Sequence, residues 1–114
     1  MRKERNEENM KVHITSKYLD REVELLFTHY DRNNSIVIEG RSFEGEPEFV
    51  ATVCLPDEKL VENHVFLKGW SENEGIPEAL AKAGVVRLTG RKVRAGFCEA
   101  IEAEILVPSM TKKE

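Results

Sequence analysis

The stretch NHVFLKGWSENEGIPEALAKAG, residues 63–84, decides which fold this sequence predicts. Four apolar positions in its second half recur at i, i+3, i+4 and i+7, the spacing of a helix face: Ile76, Ala79, Leu80 and Ala83. Pro77 suits a first helical position, and Gly84 suits the left-handed residue just past a helix end. Because a helix of about two turns does not persist alone in water, we expect one short helix near residues 76–83, docked on a sheet.

Most of the remaining sequence alternates apolar and polar residues with the period of half-buried β-strands. The clearest local prediction is a hairpin between residues 22–30 and 35–43, because Asp-Arg-Asn-Asn at residues 31–34 tolerates the positive φ angles of a tight turn. Residues 49–55 are apolar on both faces, which predicts a central strand. Residues 65–67 predict a short return or edge strand.

Strand spacing resumes after the predicted helix. Residues 85–88 predict a strand, Gly90 a break, and residues 94–96 a turn. In a last strand over residues 100–105, the apolar residues 101, 103 and 105 alternate with Ala100, Glu102 and Glu104, which predicts one wet face. The sequence therefore predicts an α+β fold, a mostly antiparallel sheet of six or seven strands, open or barrel-like, with one short helix near residues 76–83.

The length of 114 residues indicates one domain. Residues 1–9 carry no apolar side chain after Met1, so they cannot be ordered by burial and predict a mobile N-terminal tail. We expect a single α+β domain over residues 10–108 and a C-terminal tail over residues 109–114. The segment from Met10 onward also has the pattern of a natural chain start, which would make the preceding residues an extension.

Composition indicates a soluble globular protein, since 40% of the residues are hydrophobic and 33% are charged. The longest apolar run, residues 49–55, is far shorter than the roughly 20 residues that span a bilayer. The opening residues lack the basic-then-apolar pattern of a secretory leader. We therefore expect a cytoplasmic protein that does not associate with membranes.

The sequence predicts neither a metal nor a cofactor. Cys54 and Cys98 lie in apolar runs without a CxxC pattern or a neighbouring histidine, which favours buried, reduced thiols over a disulfide. The chain groups too few ligands for a structural or catalytic metal site. The three histidines, His13, His29 and His64, are far apart and stand in no recognisable frame with a nucleophile and an acid.

Residues 71–75, Ser-Glu-Asn-Glu-Gly, make a dense acidic turn before the helix. Their carboxylate and amide oxygens could ligate a hard cation, but calcium loops use more oxygens at wider spacing. The interpretation we prefer is a solvated turn in which Ser71 and Glu74 satisfy each other's neighbouring backbone donors as a capping box.

Trp70, the only tryptophan, precedes this turn. Its polar and glycine neighbours leave two interpretations open, a core anchor or an exposed contact with a partner. Because aromatic residues are enriched at binding hot spots, this loop supplies the predicted partner-binding residues: Lys68, Trp70, Glu72, Asn73 and Glu74.

Charge is distributed unevenly along the chain. Residues 44–78 contain nine acids and two bases, a difference of minus seven, whereas residues 82–94 contain five bases and no acid. Such blocks are usually solvated faces, but they also predict a bipolar surface that steers a charged partner or lets copies of the chain associate head to tail. A homodimer is among the expected assemblies. A second set of candidate contact residues is therefore basic: Arg87, Arg91, Lys92 and Arg94.

Nucleic acid is not an expected partner. The formal net charge of −4 argues against non-specific binding to phosphates, which depends on an excess of Lys and Arg. The basic run from Arg87 to Arg94 could touch phosphate through Gly90, but it lacks P-loop spacing and the interleaved aromatic residues of a single-strand platform.

ENHVFLKGWSENEGIPEALAKAG, together with TGRKVRAGF, resembles a family of small uncharacterised proteins from bacterial plasmids, conjugative elements and phages. The similarity covers about Val23 to Leu106 and leaves the N-terminal tail outside. It includes several short matches: Gly45-Glu46-Pro47, Ala51-Thr52-Val53, Glu62-Asn63, Asn73-Glu74-Gly75, Gly84 and Gly90-Arg91. The resemblance implies a context and no site residues, since small acidic proteins of mobile elements often bind a host or defence protein.

These observations predict a small non-enzymatic protein-binding module of a mobile genetic element, an anti-CRISPR or other anti-defence inhibitor that uses its acidic, Trp-bearing surface. The alternative is a self-assembling structural or regulatory domain in which edge strands pair between subunits. A third hypothesis is a small hydrolase or metal enzyme that uses His64 with Glu72 or Glu74.

Overall fold

The computed structural model describes residues 8–32 and 35–107, without the side chains of residues 8 and 9. Seven antiparallel strands form two sheets, with one short helix between the fifth and sixth strands. The elements are β1 (Glu8–Thr15), β2 (Asp20–His29), β3 (Ile36–Arg41), β4 (Pro47–Val50), β5 (His64–Lys68), α1 (Ile76–Lys82), β6 (Val86–Ala95) and β7 (Cys98–Ile105). The predicted α+β fold with six or seven mostly antiparallel strands is confirmed, but the strands form two sheets where one was predicted.

The first sheet has the strand order β1-β2-β3-β4. The predicted hairpin is confirmed, since β2 pairs with β3 from Glu24 opposite Arg41 to His29 opposite Ile36. Two of the predicted turn residues, 33 and 34, lie outside the described residues. Alternate residues of β2 are buried because one face of the sheet covers the core and the other meets solvent.

The prediction of a central strand over residues 49–55 is wrong. The strand β4 ends at Val50 and lies at an edge of its sheet. Beyond it, Thr52 makes an isolated antiparallel bridge to Leu67 of β5, and Lys68 N–H donates to the Ala51 carbonyl at 2.9 Å. The segment is apolar because it crosses from one sheet to the other through the interior, where Ala51 and Thr52 are buried.

The second sheet has the order β5-β7-β6. The predicted break at Gly90 is a bulge inside one long strand, because the register with β7 shifts between Leu88 and Lys92 and Gly90 has a φ of 94°. The hairpin turn falls at Gly96 and Phe97, since Ala95 pairs with Cys98, so it lies later than the turn predicted over residues 94–96.

The helix α1 confirms the predicted short helix and ends one residue before the predicted boundary. Pro77 is its second residue, and Gly84 adopts the expected left-handed conformation with a φ of 82°. Ile76, Ala79 and Leu80 are buried as predicted. The fourth predicted core position, Ala83, is exposed, because the helix has already ended there.

One continuous core lies between the two sheets and under α1. Its fully buried side chains include Ile14, Leu25, Ile38, Leu67 and Leu80. Within the described residues the strands form two sheets that do not close into a barrel. The barrel-like alternative is therefore not observed. The helix α1 contributes its buried residues to the same core.

Other predictions meet the structure only in part. β1 begins at Glu8, so residues 8 and 9 of the predicted N-terminal tail belong to a strand, and residues 1–7 lie outside the described residues. The predicted C-terminal tail, residues 109–114, also lies outside them. Cys54 and Cys98 form no disulfide, and both are half-buried, not buried as expected. Within the described residues, no helical segment has the length and apolar character that crossing a membrane requires.

Gly40 illustrates how tightly the first sheet is packed. It pairs with Phe49, and a Cβ atom built on Gly40 would lie 2.4 Å from two atoms of the buried Phe49 ring. We expect Gly40→Ala to lower the free energy of unfolding by about 2 kcal/mol, because the ring must leave its buried position. Chemical denaturation measures this loss.

A smaller side chain opposite Gly40 supplies the control. Phe49→Leu destabilises the wild type through lost burial, but in the Gly40→Ala background it should recover part of the stability, because leucine leaves room for the new methyl group. Strictly additive losses in the double variant would contradict this account of the packing.

Candidate binding surface

The acidic loop (residues 71–75) follows β5 and leads into α1. Trp70 is extended, with φ −117° and ψ 164°, and residues 71–73 form a single 3-10 turn. Ser71 and Gly75 both have positive φ angles, 56° and 88°. The predicted capping box is wrong, because the residues that cap the 3-10 turn and α1 make no side-chain hydrogen bond and Glu74 N–H donates to the Ser71 backbone carbonyl.

Asn73 fixes the acidic loop from inside. Its side chain is only 2% exposed, and Nδ2 donates to the Val50 carbonyl at 2.8 Å and the Lys68 carbonyl at 3.3 Å. This one amide therefore ties the loop to the end of β4 and the end of β5. Asn73 was predicted to contact a partner, but its position makes it a structural residue of the loop.

The β1–β2 turn (residues 16–19) fixes the acidic loop from outside. Lys17 N–H donates to the Glu74 carbonyl at 3.3 Å, and Lys17 Nζ lies 3.3 Å from Glu74 Oε1. A Cβ atom on Gly75 would come within 3.3 Å of the Ser16 and Lys17 backbone, so the two segments pack closely here. Both residues of the ion pair are exposed, so the pair itself contributes little stability.

Tyr18 is the residue of this surface that the sequence did not reveal. It is 63% exposed, at the turn that packs on the acidic loop, with Lys17 Nζ 5.5 Å from the centre of its ring. Glu72 and Glu74 of the acidic loop are exposed, whereas Trp70 and Lys68 are half-buried. Trp70 is thus neither the fully buried core anchor nor the fully exposed partner contact that the sequence left open. We call Tyr18, Trp70, Glu72 and Glu74 the acidic-aromatic surface.

The predicted basic contact residues divide into two pairs. Arg87 Nε and Nη2 both donate to Glu104 Oε1, at 2.9 and 2.7 Å, and Arg91 is also engaged with carboxylates. Lys92 and Arg94 are exposed and have no ion pair among the described residues. Only these two retain an unneutralised charge for a partner.

Glu102 is the largest departure from the sequence prediction. It was assigned to a wet face of the last strand, but it is 5% exposed. His64 Nδ1 lies 2.5 Å from Glu102 Oε2, and Arg91 Nη1 donates to Glu102 Oε1 at 3.2 Å. An ionised carboxylate only accepts, so it would pair with a His64 ring that carries a proton on Nδ1. The Arg91 guanidinium also lies 5.4 Å from the centre of the buried Phe66 ring.

Arg91 additionally holds the loop over residues 54–62, which we call the cover loop. Its Nη1 donates to the Lys59 carbonyl at 2.9 Å, and its Nη2 lies 3.3 Å from Glu58 Oε1. One arginine therefore links the buried carboxylate of Glu102 to a loop on the outer face of the second sheet. These contacts account for the burial of charged groups on a face that the sequence predicted to be wet.

This cluster is not the enzyme site considered from the sequence. His64 opens β5, whereas Glu72 and Glu74 follow the opposite end of that strand, so the hypothesis that joined His64 to either glutamate is not supported by the geometry. His64 pairs with Glu102 instead. Among the described residues no group of three or more His, Cys, Asp or Glu could hold a metal ion.

Two titratable groups elsewhere are shifted by their surroundings. Burial raises the pKa of the Tyr30 phenol above its usual 10.0, against the opposing effect of its hydrogen bond with Thr52 Oγ1. Hydrogen bonds with His13 and then Thr15 lower the pKa of the exposed Asp20 carboxyl below 3.8. Asp20 therefore stays ionised at neutral pH at the start of β2.

Comparison with known proteins adds no further constraint. No family model matches the chain, and no curated protein and no solved structure matches it significantly.

Proposed function

We propose that this chain is a non-enzymatic protein-binding module that docks a basic protein surface through its acidic-aromatic surface. The observation that carries the proposal is the fixed acidic loop: Asn73 holds it from inside and Lys17 from outside, while Tyr18 and Glu72 remain exposed. A loop that is already ordered loses less conformational entropy on binding than a flexible one, so its contacts contribute more fully to affinity.

The chemistry of the exposed groups favours a protein partner. Tyrosine is enriched at binding hot spots because it combines a large apolar ring with a hydroxyl group and few rotatable bonds. Glu72 has no ion pair among the described residues, so its carboxylate is available to a lysine or arginine of a partner. The surplus of acids in residues 44–78 favours steered association with a basic surface.

The biological context of the proposal rests on the resemblance to small proteins of plasmids, conjugative elements and phages. On that basis we propose a host or defence protein as the partner and anti-CRISPR or other anti-defence inhibition as the role, in the cytoplasm. Proteins that act on nucleic acids present basic surfaces toward their substrates, which would suit an acidic inhibitor.

A binding experiment tests this assignment. The chain, immobilised at its C-terminus, captures partners from bacterial lysates and from purified defence complexes, and affinities are then measured by interferometry. We expect Tyr18→Ala and Glu72→Lys each to weaken binding by roughly tenfold or more, as for residues at the centre of an interface.

The turn between β3 and β4 offers a matched pair of controls. Phe43 is 52% exposed and Glu44 is exposed, so Phe43→Ala and Glu44→Lys remove an aromatic ring and reverse a charge outside the residues of the acidic-aromatic surface. These control variants should bind like the wild type. A captured partner that tolerates Tyr18→Ala and Glu72→Lys as well as it tolerates the controls would refute the acidic-aromatic surface as the binding site.

A further inference from the structure

The two sheets have four edge strands, and three of them are protected against pairing with another chain. The strand β5 is covered on its outer side, because Val53 N–H donates to the Phe66 carbonyl and Lys68 N–H to the Ala51 carbonyl. The strand β4 is four residues long and begins with Pro47, which cannot donate a backbone hydrogen bond. Neither strand presents a long free edge.

The strand β6 is protected by charge and by shape. It carries Arg87, Arg91, Lys92 and Arg94, and the bulge around Gly90 interrupts its regular hydrogen-bonding pattern. Basic side chains and bulges are the devices by which edge strands avoid pairing with each other. Two copies of β6 would also bring like charges together.

The strand β1 has none of these protections. It pairs with β2 in continuous register over eight residues, contains no glycine or proline, and has no strand along its outer edge within the described residues. On the core face, Met10 and Val12 are only partly buried although they pack against the core. Lys11 is the only described side chain of β1 with a permanent positive charge. Within the described residues this edge therefore has no paired strand, and it is apolar on one side.

We propose that a second copy of this chain pairs with β1 along its outer edge, antiparallel, about a two-fold axis at Val12. In this register Val12 faces Val12 of the partner subunit and Met10 faces Ile14 of the partner subunit, so the apolar rows of the two copies join. A pairing with the two-fold axis at Lys11 instead would place Lys11 opposite Lys11 of the partner subunit, and like-charge repulsion disfavours it.

The polar face of β1 fits the same arrangement. Lys11 of one copy faces His13 of the partner subunit, and His13 Nε2 lies 2.7 Å from the Asp20 carboxylate in each copy. Because hydrogen bonds keep Asp20 ionised, a negative charge lies beside the histidine that Lys11 approaches. The result is an eight-stranded sheet through two copies, in which Met10 and Val12 become interior residues. This interface lies on β1 and does not depend on the acidic-aromatic surface.

Mass measurement and substitution test the proposal together. Light scattering should give twice the 13.0 kDa chain mass, falling toward 13.0 kDa on dilution. Val12→Lys should give a monomer at every concentration, whereas Val93→Lys, at a half-buried valine of the protected edge strand β6, should remain dimeric. A wild-type mass of 13.0 kDa at the highest concentration would overturn the proposal, as would equal loss of the dimer in both variants.

Disulfide cross-linking tests the register even if Val12→Lys fails to fold. Oxidation of a Val12→Cys variant should give a covalent dimer, because cysteines directly opposite each other in antiparallel strands are close enough to bridge. Lys11→Cys, which faces His13 of the partner subunit, should give no covalent dimer under the same oxidant, and neither should the wild type with Cys54 and Cys98. Cross-linking of Lys11→Cys in place of Val12→Cys would overturn the proposed pairing.

Discussion

Glu102→Ala is expected to lower the free energy of unfolding by about 3 kcal/mol, the largest loss we predict for a single substitution. The change removes a buried carboxylate and leaves the His64 imidazole and the Arg91 guanidinium without the acceptor they share. Breaking a buried pair costs more than the pair contributes, since the His64 ring is only 15% exposed and its Nδ1 atom loses its partner. Arg91 is 41% exposed, which keeps the loss below the upper end of such effects.

Urea denaturation followed by the fluorescence of Trp70 measures this loss, and the melting temperature should fall by roughly 10 °C. Glu99→Ala is the matched control, because Glu99 is an exposed glutamate on the same strand. It should change stability by less than about 0.5 kcal/mol. Equal effects of the two substitutions would mean that the contacts of Glu102 with His64 and Arg91 do not stabilise the fold.

A double-mutant cycle with Arg91 separates the ion pair from general disruption. Arg91→Ala should cost clearly less in the Glu102→Ala background than in the wild type, since their direct interaction is then already lost. Glu102→Gln keeps the shape of the side chain but removes its charge, so we expect an intermediate loss. Additive effects of Arg91→Ala and Glu102→Ala would contradict the shared role of these two residues.

The burial of Glu102 was hidden from the sequence by the bulge in β6. Alternation predicted that Ile101, Ala103 and Ile105 face the core and that Glu102 faces water, and the first part is correct for Ala103 and Ile105. The bulge between Leu88 and Lys92 lets Arg91 reach Glu102, and the cover loop lies over both. Neither effect leaves a periodic signal, because each depends on residues distant in sequence.

Local signals were more dependable than those that depend on tertiary position. The helix and the β2–β3 hairpin follow from spacing, turn residues and a glycine terminator within one short segment. The stretch over residues 49–55 was misassigned because a segment that crosses between sheets has the same apolar composition as a central strand. Tyr18 joins the candidate surface only through the packing of the β1–β2 turn on the acidic loop, contacts that span 57 residues of sequence.

Asn73→Ala is expected to cost about 2 kcal/mol and, unlike Glu102→Ala, to loosen the proposed binding surface itself. The substitution removes the donor shared by the Val50 and Lys68 carbonyls, so two acceptors lose a partner where the loop joins β4 and β5. Amide hydrogen exchange should become faster in residues 70–75, and binding should weaken although Asn73 itself is only 2% exposed. The exposed Glu72→Gln should leave both stability and exchange unchanged.

Asn73→Asp distinguishes the loss of a donor from the loss of packing. Aspartate has nearly the same shape, but its ionised carboxylate would face two carbonyl oxygens and cannot donate to either. We therefore expect Asn73→Asp to be at least as destabilised as Asn73→Ala at neutral pH. Acidification converts the carboxyl group into a donor, so its deficit relative to the wild type should narrow as the pH falls. A deficit independent of pH, or wild-type stability in Asn73→Asp, would contradict the role assigned to this amide.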